Sequence, residues 1–183
     1  MYAPDHATWV EVPALANTLC GLSRPIHFRG VCTVVLKLFM LAQPSLAVFG
    51  EKDWQQLAII KKMVSDLNVP VEVVGRPIVR EADGLALSSR NVYLTPEERA
   101  QAPQIRKSLE MAAGLAAGGE RDAARIIEAV RGYLAEHLPT GEEDYISIVD
   151  PAVLTKVDRI EDMALCALAI RLGKARLIDN ILL

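Results

Sequence analysis

Three short stretches of this 183-residue chain gather side chains suited to binding anions. In Phe49-Gly50-Glu51-Lys52-Asp53-Trp54-Gln55-Gln56 a lysine follows a glycine, where an apolar run ends and a helical pattern begins. A helix N-terminus carries unpaired N–H groups and partial positive charge, so it draws anions and mildly repels cations. Two arrangements would stabilise a lysine there. One is a solvated first turn in which Glu51 and Asp53 pair with it. The other is a phosphate or nucleotide held at the carboxyl edge of a parallel sheet. Arg24-Pro25-Ile26-His27-Phe28-Arg29-Gly30 places two arginines and a histidine in one connection. It reads either as an ordinary polar loop or as a carboxylate-recognising one, since a guanidinium offers a planar fork of donors. Ser88-Ser89-Arg90-Asn91 sets two hydroxyls beside a guanidinium. Such a run can wrap phosphate oxygens or cap its own loop.

The elements around these stretches follow from periodicity. Thr8–Val12 reads as a short strand, and Pro13 opens a helix to about Leu19. A second helix is expected from about Val31 to Gln43, stopped by Pro44. Leu46–Phe49 reads as a buried strand. It leads into a helix over 53–67 with Leu57, Ile60, Val64 and Leu67 at helical spacing, and 71–74 forms the next strand. Helix, strand, helix, strand with short links is an α/β pattern with parallel crossovers. Gly75-Arg76-Pro77 breaks it and divides the chain into domains 1–76 and 77–183. Residues 78–87 read as a hairpin-like excursion with Asp83-Gly84 at its turn. Thr95-Pro96-Glu97-Glu98 is a capping box with proline at N1, opening a helix to about Ala117 with a kink at Pro103. A helix over 122–137 and strands at 145–149, 163–172 and 175–182 complete an α+β unit whose last two strands are antiparallel.

Composition narrows the class. Hydrophobic residues make up 51% and charged residues 23%, which favours a folded core. The net charge is −3 and the pI about 5.7, without basic runs, so a nucleic-acid surface is not expected. Cys20, Cys32 and Cys166 lack metal-ligand spacing and read as reduced thiols. No charged-then-apolar leader is seen and no run is long enough to span a bilayer, so a cytoplasmic location is expected.

In order and spacing, the Arg24–Val31, Phe49–Gln56 and Asp83–Asn91 stretches resemble the pantoate–β-alanine ligase (pantothenate synthetase) family, and Ala175–Asn180 fits it too. The resemblance covers essentially the whole chain. It implies the second half of a Rossmann-type domain of the HIGH-motif nucleotidyltransferases, followed by a small C-terminal domain. It implies ATP, with Mg2+, as co-substrate and a two-step ligation: pantoate is adenylated, then β-alanine displaces AMP. Matched by position, Gly50, Glu51, Lys52 and Asp53 are the nucleotide segment, with Lys52 on phosphate. By the same match Gln56 corresponds to a pantoate-binding glutamine, and Val79 to a position whose backbone meets adenine. Leu87, Ser88, Ser89 and Arg90 close over the triphosphate. Arg24 and His27 line the active site. The family is commonly dimeric, so a homo-oligomer is expected.

Two departures qualify this. The family's H-x-G-H motif is absent: the histidines are His6, His27 and His137, and none sits in that pattern. Met1 aligns inside the family's first domain, so the chain alone is expected to be inactive and its uncovered sheet edge to invite association. Cys20 replaces the family's usual glutamate. The alternative reading is a non-catalytic binding or assembly module that keeps the fold.

Overall fold

The computed structural model describes every residue from Met1 to Leu183. It divides into two compact units. One comprises Met1–Gly50 with Trp54–Arg76, the other Glu51–Asp53 with Pro77–Leu183.

The first unit contains helices α1 (Pro13–Ala16), α2 (Cys20–Ser23), α3 (His27–Ala42) and α4 (Trp54–Asp66) and strands β1 (Leu46–Gly50) and β2 (Glu72–Arg76). The strands pair in parallel, Leu46 opposite Glu72 and Gly50 opposite Arg76. Thr8–Val12 is not a strand. The Val10 N–H donates to the Thr33 hydroxyl at 3.0 Å, so this segment is held by a side chain of α3 and not by a neighbouring strand. Helix α3 starts four residues earlier than expected and absorbs His27–Gly30. It ends where Gln43 turns left-handed (φ 47°), its N–H on the Phe39 carbonyl, just before Pro44. The inward face of α4 is Leu57, Ile59, Ile60 and Met63. Leu67 lies outside the helix and half-exposed, because Asn68 takes a left-handed conformation (φ 50°) and turns the chain.

The second unit is built on an antiparallel sheet, β3 (Gly141–Val149), β4 (Leu165–Leu172) and β5 (Ala175–Leu182), in that order. Helices α5 (Pro96–Gln101), α6 (Gln104–Ala117) and α7 (Ala123–His137) accompany it. Pro103 separates α5 from α6, giving two helices where one kinked helix was expected, because proline cannot donate an N–H to the helical ladder. Strand β4 is central and buried at every position except Arg171, so both of its faces are covered. Its residues Cys166, Leu168, Ile170 and Leu172 join Ile105, Leu109, Ile126, Val130 and Leu134 of α6 and α7 in one core. The excursion at 78–87 closes with a single bridge, Arg80 to Ala86, around Gly84 (φ 92°). The fold is thus α/β: a parallel sheet with helices, and a small three-stranded antiparallel sheet. No helix is long and apolar enough to cross a membrane.

Candidate anion-binding site

The carboxyl end of β1 runs into a 3₁₀ turn, Glu51–Asp53, and this turn belongs to the second unit. Lys52 pairs locally: its Nζ donates to Asp53 Oδ2 at 2.9 Å. Its side chain is only 17% exposed and lines a crevice with Leu85, Ala86, Ser88, Arg90, Arg176 and Asp179. The local pairing and the convergence with Ser88 and Arg90 therefore coexist.

Ser88 is half-buried at the entry to a second 3₁₀ turn, Ser89–Tyr93, and its hydroxyl accepts the Arg90 N–H at 3.2 Å. That bond aims the turn and leaves the hydroxyl proton available to a ligand. Ser89 and Leu87 are exposed and do not line the crevice. Val79 is 67% exposed, and its carbonyl accepts the Leu87 N–H at 2.9 Å. Gly50 and Glu51 lead into the Lys52 turn.

The charges around the crevice leave one cation uncompensated. Asp53 answers Lys52, and Asp144 answers Arg176 at 2.6 Å. Asp179 is held by Arg80 at 2.7 and 2.9 Å. The Arg90 guanidinium pairs with no carboxylate. A lysine, a serine hydroxyl and a free guanidinium on one concave surface are a donor set for an anion with several oxygens. The crevice encloses about 10 Å³, space for roughly one water, so it admits a phosphate oxygen and not a whole nucleotide.

Loop 80–91 is tied down from behind. Arg99 bonds Glu81 and Asp83, each at 2.7 Å, and Asn91 Nδ2 donates to Glu81 Oε1 at 2.7 Å. The Arg99 guanidinium is the leading cause that holds both carboxyls below the usual carboxylate range.

Arg24, His27 and Gln56 lie in the first unit. Arg24 is half-buried after α2, and its carbonyl accepts the His27 N–H at 3.0 Å, so the two flank the turn into α3. His27 also packs against Phe28, ring centres 5.0 Å apart. Gln56 is half-buried on α4, while its neighbour Gln55 is buried and fully engaged in the scaffold. Burial pushes the Cys32 thiol up to about 11 and the Cys166 thiol up to about 12, so neither is a ready nucleophile. No cluster of His, Cys, Asp or Glu is arranged to hold a metal ion. Sequence reasoning gave no role to Arg80, Arg176, Asp179 or Asn180. The one local signal is an Asp-Asn pair in a strand whose only other polar residue is Arg176.

A family model described as pantoate-beta-alanine ligase matches residues 1–182. Pantothenate synthetase of Nitratidesulfovibrio vulgaris (strain Miyazaki F) is 68% identical over 183 residues, and that of Desulfovibrio desulfuricans 66%. Each match takes in 100% of this chain and 65% of the relative, so the chain spans about 65% of the length of the curated relatives it matches. The crystal structure of pantothenate synthetase from Thermus thermophilus superposes with a TM-score of 0.94 at 46% identity, covering 99% of this chain and 65% of that one. Pantoate-beta-alanine ligase from Francisella tularensis, solved with beta-gamma ATP and beta-alanine, gives 0.71 at 32% identity, covering 98% and 60%.

Proposed function

Because the chain belongs to the pantoate–beta-alanine ligase family, we propose that it contributes the phosphate-binding arm of an enzyme joining pantoate to β-alanine with ATP. The observation that carries this reading is the convergence of Lys52, Ser88 and the unpaired Arg90 on one crevice. In the first step a pantoate carboxylate oxygen bonds to the α-phosphorus and the bond to pyrophosphate breaks. In the second the β-alanine amine nitrogen bonds to the acyl carbon and gives up a proton, and AMP leaves with the electrons of the C–O bond. Negative charge grows on the phosphate oxygens during the first step, so fixed cations aimed there lower the barrier. Lys52 and Arg90 supply them, and Ser88 supplies a hydroxyl donor, with Ser89 in the turn beside the crevice. The Gly50–Asp53 backbone and the Val79 and Leu87 segments flank the nucleotide. Gln56, with an amide that both donates and accepts, suits a hydroxy acid, and Arg24 and His27 suit its carboxylate. Magnesium would arrive on the triphosphate, offsetting its charge, as its preference for substrate phosphates and water implies.

On this reading the protein acts in the cytoplasm as a homo-oligomer. The second reading is a binding or assembly module that keeps the family fold. The two separate when the chain is fused in frame to the remaining third of the N. vulgaris relative. On the first reading the fusion forms pantothenate, AMP and pyrophosphate, and Lys52→Ala abolishes this; on the second a folded fusion forms none. The unfused chain is expected to form negligible product, since groups acting as a unit fail together.

A further inference from the structure

Two adjacent polar residues are buried on β5. Asp179 is 3% exposed and Asn180 6%, and their cross-strand partners are Leu168 and Ala167. Burying an amide and a carboxylate is costly unless each is bonded. Both are, and their bonds run to the two segments that form the crevice.

Asn180 Nδ2 donates to the carbonyls of Glu51 at 3.0 Å and Lys52 at 3.1 Å. It therefore holds the backbone of the lysine turn. Asp179 accepts both terminal nitrogens of Arg80, and Arg80 Nη1 also donates to the Gly84 carbonyl at 3.0 Å. The carboxylate thus holds the 80–86 turn, which runs directly into Leu87–Arg90. Asp179 Oδ1 further accepts the Asn180 N–H at 2.8 Å, tying the two grips together. Successive residues of a strand point to opposite faces, so a dipeptide can reach two separate segments where one residue could not.

We propose that Asp179 and Asn180 are positioning residues, a brace on β5 that sets the Lys52 arm and the Ser88–Arg90 arm of the crevice at a fixed separation. The proposal rests on the reading of that crevice as a phosphate site. Neither residue need touch the ligand. A site whose cations are held in place beforehand spends less on ordering them when the anion arrives.

The test uses Asn180→Ala and Asp179→Asn in the full chain, with Asn180→Ser as the milder substitution should Asn180→Ala not fold. Hydrogen exchange is followed by mass spectrometry, and MgATP binding by calorimetry. Asn180→Ala is expected to speed exchange at 50–53 and leave 80–91 nearly unchanged. Asp179→Asn should do the reverse. Each should weaken MgATP binding roughly tenfold, the size of one hydrogen bond's net contribution. A merely structural role would instead lower the melting temperature and raise exchange across β4 and β5 in both variants alike. That pattern, or unchanged exchange in both arms, overturns the brace. If the unmodified chain binds no MgATP, the phosphate reading falls, and the exchange pattern alone decides the brace.

Discussion

Gln55 Nε2 donates to the Leu15 carbonyl at 2.8 Å, and the same amide closes a clamp on the turn that follows. It donates to the Thr18 carbonyl at 2.7 Å and accepts the Cys20 N–H at 3.0 Å. Between these grips Leu19 is held at φ 45°, a conformation a leucine rarely adopts. Removing the amide leaves buried donors and acceptors unpaired. Gln55→Ala should therefore cost roughly 3 kcal/mol in chemical denaturation. Gln56→Ala, next door but half-buried, should change stability by less than about 0.5 kcal/mol. Its expected effect is on pantoate affinity in the fused enzyme.

Glu98 serves two elements. Its carboxylate accepts the Thr95 N–H at 2.9 Å while its own N–H donates to the Thr95 hydroxyl, completing the capping box of α5. The same carboxylate occupies the space a side chain would need at Gly173, in the β4–β5 turn at φ 55°. Thr95→Ala should cost about 1 kcal/mol. Gly173→Ala should cost more, about 2 kcal/mol, because it combines a left-handed alanine with displacement of the cap. The double variant should fall short of the sum in thermal melts, since both act through Glu98.

The Arg99 lock gives a pH signature. Glu81 and Asp83 have native pKa values depressed, mainly by bonds to Arg99. A depressed carboxyl contributes stability that is complete above its unfolded pKa and lost as pH falls through the native one. Exchange in 80–91, taken relative to the intrinsic amide rate at each pH, should therefore be flat above about pH 5 and rise as the solution is taken below about pH 4. Arg99→Gln should remove that rise and leave the loop loose at neutral pH.

The N-terminal unit presents apolar surface on its parallel sheet. Leu46 is 48% exposed and Val48 55%, both on β1, whose pairing is to β2 alone. An exposed apolar edge strand is a template for another chain. Light scattering should show concentration-dependent dimers or larger species, which Val48→Lys reduces. A monomer at all concentrations would count against this.

Local signals were legible where local chemistry decides the outcome. The strand expected over 175–182 forms β5 over those residues, and the capping box starts α5 at Pro96. Thr8–Val12 misled because its partner is one hydroxyl, Thr33, 23 residues from Val10 in sequence. Gln55 and Gln56 are identical by composition, and only tertiary packing assigns one of them to the scaffold. Arg80 and Asp179 are 99 residues apart, so their pairing carries no local signature, and an Asp-Asn pair in a strand says only that something must satisfy it.

The most direct test of the central claim is calorimetric titration of the chain with MgATP, repeated for Lys52→Ala and Arg90→Ala. Weak, salt-sensitive binding is expected in the unmodified chain, abolished by Lys52→Ala and weakened roughly tenfold or more by Arg90→Ala. Binding that both variants leave intact, or no binding by a chain shown to be folded, would contradict that claim.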